Sequence, residues 1–308
     1  MSHPPVGLRG LIAATHTPLH ADQSIAPERI AGLVEVLVAR GVDGLYVLGS
    51  TGEGPSLSVA ERRSVAAEFV RANAGRLPLL VQVGSTVLAD ARELAAHAAE
   101  IGADGVSAVF TSYFPVRGIE PVVEALASIA AAAPGLPFYA YHIPALSGIA
   151  VDPVDLLDRL AERAPNLAGL KFTAPQADLF QACVERFAGR LEILWGCDEM
   201  LLAGFTAGGR GAIGSTYNFA APLYRAVLAA LERADLPAAR SAQARAVAMV
   251  RVLLRHGGGP AIKAAMGLSG YDCGPVRAPQ QTVDGPTLDA LRAGLEPFGL
   301  LAATAGRS

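Results

Sequence analysis

Of the 25 lysine and arginine residues in the chain, only two are lysines, Lys171 and Lys263. Lys171 sits inside Leu167-Ala-Gly-Leu-Lys-Phe-Thr173, an apolar run bounded by Pro165 and Pro175 that reads as a short strand. A desolvated ammonium there must find a counter-charge or give up its proton. Arginine cannot give up its proton and lysine can. A neutral amine in such a place permits a Schiff base with a carbonyl substrate. The competing reading is a lysine with a buried stem and a head that reaches water or a carboxylate.

Other stretches carry residue types that would serve such an amine. Gly49-Ser-Thr-Gly-Glu53 is a tight turn with two hydroxyls and several backbone N–H groups, suited to a carboxylate or phosphate. It reads equally as an ordinary strand-to-helix turn. In Tyr139-Ala-Tyr-His-Ile-Pro144 strand alternation puts Tyr139 and Tyr141 on one side, and a phenol near an amine carries protons. Thr173 shares the side of Lys171, and Trp195-Gly-Cys-Asp-Glu199 brings two carboxylates. Gly214-Ser-Thr-Tyr-Asn218 adds more hydroxyls, and Thr111-Ser-Tyr-Phe-Pro115 is an aromatic loop or plain packing. Together these are the groups a Schiff-base lyase acting on a 2-oxo acid needs.

The elements that must position them alternate regularly. Strand patterns fall at 10–15, 44–48, 78–83, 105–110, 137–142, 168–172, 192–195 and 211–214, each followed by a helical pattern. Ser58-Val-Ala-Glu61 is a capping box, and Asp152-Pro153 supplies a cap with a proline at the first helical position. Eight such units predict an α/β chain folded as a (β/α)8 barrel of the TIM type, with functional residues at the strands' C-terminal ends. Only helical patterns follow the eighth strand. We expect a barrel over 8–220 and a C-terminal helical extension of the same domain over 221–300. A doubly wound open sheet is the alternative, but no G-x-G-x-x-G follows the first strand.

Composition narrows the partners. A net charge of -3 gives no reason to expect nucleic acid or an anionic membrane, and no apolar run reaches spanning length. Cys183, Cys197 and Cys273 form no C-x-x-C, and the first residues show no secretory pattern, so the expectation is cytoplasmic. The tail from Ala302 to Ser308 reads as frayed. His16 and His20 flank Thr17-Pro18 in a loop, and His3, His97, His142 and His256 are scattered, so no metal site is expected. These histidines read mainly as solvent-facing or supporting residues, Arg62, Arg63 and Arg225 as solvated helix faces, and Gly257-Gly-Gly-Pro260 as a helix break, with a flexible turn lining a pocket as the alternative.

In this order and spacing, Gly49-Ser-Thr-Gly-Glu53, Tyr141-x-Ile-Pro144 and Gly169-Leu-Lys171 resemble the dihydrodipicolinate synthase/N-acetylneuraminate lyase family of pyruvate-dependent class I aldolases. The resemblance runs from about Leu8 to Pro279. It implies a Schiff base on Lys171, with no metal or other cofactor. Tyr141 is then the proton-transfer phenol, Ser50 and Thr51 hold the pyruvyl carboxylate, and Tyr113 from a neighbouring subunit completes a hydroxyl relay. The implied assembly is a homotetramer, a dimer of dimers. Ile143-Pro-Ala-Leu-Ser-Gly148 looks like the N-acetylneuraminate lyase branch, since Leu146 stands where dihydrodipicolinate synthases usually carry an arginine. In that branch Gly196, Asp198, Glu199 and Ser215 bind the sugar hydroxyls, with Thr173 beside Lys171. Three features depart from it: Cys197, Phe114 and the small Gly257-Gly-Gly-Pro260 segment. The implied activity is carbon–carbon cleavage of N-acetylneuraminate, or a closely similar 2-keto-3-deoxy sugar acid, to pyruvate and an aldehyde sugar. Condensation or dehydration of another 2-oxo acid, and non-catalytic sensing of one, are the alternatives.

Overall fold

The structure, a computed structural model, describes residues 5–302. His3 and nearly all of the tail read above as frayed lie outside the described residues. Eight parallel strands close into a barrel in sequence order: β1 Gly10–Ala14, β2 Gly44–Val47, β3 Leu79–Gln82, β4 Gly105–Val109, β5 Phe138–His142, β6 Leu167–Phe172, β7 Glu192–Trp195 and β8 Gly211–Gly214. The expected (β/α)8 barrel is what forms. Nearly every strand residue is buried because a parallel barrel has side chains inside and helices outside.

The alternation read from the sequence divides the core in two. Ile12, Ala14, Tyr46, Leu80, Tyr139, Tyr141, Leu194 and Ile213 meet inside the barrel. Their neighbours, among them Leu11, Leu45, Val81, Leu170 and Trp195, pack against the surrounding helices. Those helices are capped as the sequence predicts. The Ser58 hydroxyl accepts from Glu61 N at 3.3 Å while Glu61 Oε2 accepts from Ser58 N at 2.8 Å, opening the helix Val59–Asn73. Asp152 Oδ1 accepts from Val154 N and Asp155 N at the start of Pro153–Arg163.

After β8 the chain runs through four longer helices, Tyr217–Glu232, Leu236–Arg255, Gly259–Leu268 and Gly285–Leu295. They do not merely trail behind the barrel. Arg40 reaches Asn218 O at 2.5 Å and Ser269 O at 2.8 Å, and Asn218 Nδ2 donates to Ala14 O at the end of β1. Among the described residues no helix is long and apolar enough to cross a membrane.

Candidate active site

Strand pairing brings the amine and the phenol together. β5 and β6 are in register with Tyr141 opposite Lys171, and both side chains face the barrel interior. Lys171 Nζ lies 3.9 Å from the centre of the Tyr46 ring and 4.2 Å from that of Tyr141. The lysine is only 5% exposed. Burial lowers its pKa to about 7, while Asp198 and Cys197 oppose the shift. A substantial fraction is therefore free amine near neutrality, the state a carbonyl electrophile requires.

Burial acts oppositely on the phenol. It lifts Tyr141 to about 12, although the hydroxyls of Thr173 and Ser50 lie close enough to lower it in part. Thr173 Oγ1 is buried with no hydrogen-bond partner among the described residues. A Cβ on Gly196 would collide with that oxygen, so only glycine lets β7 pass so near it. Tyr139, the other tyrosine on this side of β5, does not reach the mouth. Its hydroxyl donates to Glu192 Oε2 at 2.6 Å and accepts from Val6 N at 2.9 Å, toward the strands' N-terminal ends.

Ser50 and Thr51 line a cavity of about 600 Å³ with Ser215, Gln82, Ile143, Leu146 and Gly259. The backbone of their loop is held in an unusual shape. Leu48 and Glu53, which bracket it, both have left-handed backbones, at φ 64° and 55°. Glu53 is fixed from outside the barrel. Its Oε1 accepts from Lys263 Nζ at 2.7 Å, with both side chains at most 4% exposed, and its Oε2 accepts from Arg277 N at 2.6 Å. The C-terminal helices thus clamp the loop that carries Ser50 and Thr51. Replacing Lys263 by Met strands a buried carboxylate, and the expected loss is about 3–5 kcal/mol, read as a lower urea midpoint. Adding Glu53→Gln to that variant should restore most of it, since removing both charges also removes the unpaired one.

The carboxylate pair splits. Asp198 is buried and its Oδ2 accepts from Thr216 N at 2.9 Å and Thr216 Oγ1 at 2.6 Å. Burial raises its pKa to about 6 against the pull of those bonds. Glu199 is exposed, and Ser215 faces the cavity. Tyr113 is 88% exposed on the loop after β4, edge to face with Phe114 and away from the cavity lining. Leu146, an uncharged side chain, stands 69% exposed at the mouth.

The matching family model, the dihydrodipicolinate synthetase family, spans residues 7–297. The chain belongs to this family. Among curated relatives, N-acetylneuraminate lyase of Rattus norvegicus is 40% identical over 91% of this chain and 89% of its own. The Homo sapiens enzyme of the same name is 38% identical over 99% and 97%. Among solved structures, Proteus mirabilis N-acetylneuraminate lyase superposes with a TM-score of 0.92 at 37% identity, covering 96% of this chain and 99% of that one. The Aliivibrio salmonicida lyase gives 0.92 at 33%, covering 96% and 98%.

Three residues of this family member escaped the sequence reading. Arg62, read as a solvated face, is 3% exposed and donates to Gly84 O at 3.0 Å and Gln82 O at 2.8 Å, capping the end of β3. His16, read as a loop residue, is 1% exposed and lines the cavity, while His97 and His142 are also buried. Lys263 was visible only in its rarity. Among the described residues no three His, Cys, Asp or Glu side chains group as metal ligands; His20 instead lies 3.4 Å from Glu28. Gly257 and Gly258 break the helix with φ of 111° and 62°, as expected, and Gly259 also lines the cavity.

Proposed function

We propose that this chain cleaves N-acetylneuraminate, or a closely similar 2-keto-3-deoxy sugar acid, to pyruvate and an aldehyde sugar. The observation that carries the reading is a buried lysine with its pKa brought to about 7, in register with a buried phenol. The Lys171 amine adds to the keto carbon and water leaves, giving an iminium. Loss of the proton from the hydroxyl one carbon beyond the α-carbon breaks the carbon–carbon bond, and its electron pair enters the iminium to form an enamine. Protonation of the α-carbon and hydrolysis release pyruvate and restore the amine. The imine is itself the electron sink, so this sequence calls for no metal and no organic cofactor.

Tyr141 moves the protons in this scheme, and Ser50 and Thr51 hold the carboxylate through hydroxyls and amides. We assign Ser215, which lines the cavity, with Gly196, Asp198, Glu199 and Thr173, to the sugar chain, where carboxylates accept several hydroxyl donors at once. The activity for which these relatives are named, N-acetylneuraminate lyase, supports this substrate. So does the lining of the cavity, whose one cation among the described residues, Lys263, is already paired with Glu53. A second carboxylate-bearing substrate, as condensation with an amino aldehyde acid requires, finds no free cation there.

We further propose a homotetramer built as a dimer of dimers. The exposed Tyr113 and Phe114 support it, as an edge-to-face aromatic pair that a second copy would cover while delivering Tyr113 to the neighbouring site. Free thiols at Cys183, Cys197 and Cys273 fit a cytoplasmic setting.

The deciding experiment measures pyruvate release from N-acetylneuraminate, beside borohydride trapping of pyruvate on the protein. Release with a stable adduct on Lys171 is the expected result. An adduct without release redirects the search to other 2-keto-3-deoxy acids. Pyruvate binding with no adduct makes the protein a 2-oxo acid sensor.

A further inference from the structure

One buried polar side chain at the cavity has no part in the scheme above. His16 follows β1, two residues past Ala14 and four past Ile12, both of which face the barrel interior. Continuing that alternation places its imidazole at the mouth, where it lines the same cavity as Ser50, Thr51 and Gln82. It is 1% exposed, and neither ring nitrogen has a hydrogen-bond partner among the described residues. Unpaired polar atoms destabilise a folded chain, and native structures satisfy nearly all of them. Two such nitrogens on the wall of a cavity, close to the Thr51 backbone, are available to a ligand that enters it.

The charge state of the ring narrows the ligand group. Burial first, and then the nearby Lys263 ammonium, lower its pKa to about 3, with the Thr51 backbone opposing. The imidazole is neutral, with one N–H to donate and one nitrogen to accept. Of the charged groups that share the cavity, Lys263 and Glu53 already satisfy each other. Ser50 and Thr51, whose hydroxyls we assign to the substrate carboxylate, line the same cavity, and the Thr51 backbone lies near the His16 ring.

We propose that His16 is a further binding residue of the 2-oxo acid site, its neutral N–H donating to the carboxylate that Ser50 and Thr51 hold. The inference rests on the Schiff-base reading of Lys171. A carboxylate offers about four lone-pair sites, more than two hydroxyls fill. A neutral donor from β1 adds a charge-assisted bond without the cost of desolvating another cation.

The test uses full-length His16→Leu, His16→Phe and His16→Asn. Pyruvate half-saturation is read from borohydride trapping on Lys171, with acetone as a carboxylate-free probe and thermal unfolding alongside. For His16→Leu the half-saturating pyruvate concentration should rise roughly tenfold or more, as for loss of one hydrogen bond to a charged group. With the sugar acid the loss should fall on KM more than on kcat, because ground state and transition state share the contact. Acetone trapping should be unaltered, and the melting temperature should hold or rise as two orphan nitrogens disappear. His16→Asn, which keeps a donor, should recover part of the affinity. Should His16→Leu not fold, His16→Phe keeps the ring's shape and carries the same expectation. Wild-type half-saturation in a folded Leu or Phe variant, or an equal loss with acetone, overturns the proposal. Absence of any wild-type adduct overturns the Schiff-base reading instead.

Discussion

Lys171→Ala should lower pyruvate release on the order of 10⁴–10⁶-fold and leave no borohydride adduct, the scale on which covalent catalysis fails without its nucleophile. A general cation would be replaceable in part by Arg. An imine-forming amine is not, so Lys171→Arg should be as dead as the alanine variant. The alanine variant should still fold, because the neighbours of Lys171 are the rings of Tyr46 and Tyr141, which need no ammonium to pack, whereas the arginine variant carries the cost of a permanent buried charge. Circular dichroism beside the activity assay separates the two effects.

The same residue sets a pH dependence whose sign is fixed. In the folded chain the amine loses its proton near pH 7, and in the unfolded chain near the ordinary lysine value of 10.5. Below pH 7 both states are protonated and the fold carries the full cost of a buried charge. Between the two values the unfolded state binds the extra proton, so this group's contribution to stability improves as pH rises. Lys171→Met should accordingly melt above wild type at pH 6, by on the order of a few kcal/mol, with the advantage shrinking toward pH 10. Activity follows the same proton: kcat/KM should fall about tenfold per unit below pH 7 and level off above it.

Tyr141→Phe should slow turnover by about 10²–10⁴-fold while the pyruvate adduct on Lys171 still forms, only more slowly. Phenylalanine preserves the ring that stands edge-on to Tyr46, 6.0 Å between centroids, so the substitution removes the hydroxyl and little else. A phenol at about 12 is a reluctant acid beside an amine near 7. The iminium changes that balance, because its permanent positive charge favours the phenolate at close range. The hydroxyl therefore helps imine formation but matters most once the covalent intermediate exists. Rapid-quench kinetics that separate imine formation from pyruvate release test this: the adduct should accumulate in the phenylalanine variant.

What the sequence disclosed depended on how local the cause was. The strands and the capped helices rest on local pattern, so residue order alone revealed them. Alternation left Tyr139 and Tyr141 open as partners of Lys171, and only the family resemblance chose Tyr141, which the β5–β6 register places opposite the lysine. The Lys263–Glu53 pair joins positions 210 residues apart, and no window of sequence holds both. Its one trace was rarity: the scarcity that singled out Lys171 applied equally to Lys263. Arg62 misled because charge on a helix normally faces water, whereas here carbonyls at the end of β3 take the guanidinium. His16 misled because β1 was expected to hand over to a loop, while its alternation persists two residues into the mouth.

The clamp on Glu53 has a consequence for how the protein is made. Ribosomes deliver the chain N-terminus first, so the Ser50–Thr51 turn is among the earliest parts to emerge. Its shape waits for the ammonium at position 263 and the amide at 277, both synthesised more than two hundred residues later. A nascent chain released after β8 possesses every barrel strand, the amine and the phenol, yet lacks both donors that fix Glu53 and the segment that covers it. The Ser50–Thr51 turn of such a product has nothing to hold its shape, so completion of the polypeptide is what sets the geometry of that end of the site.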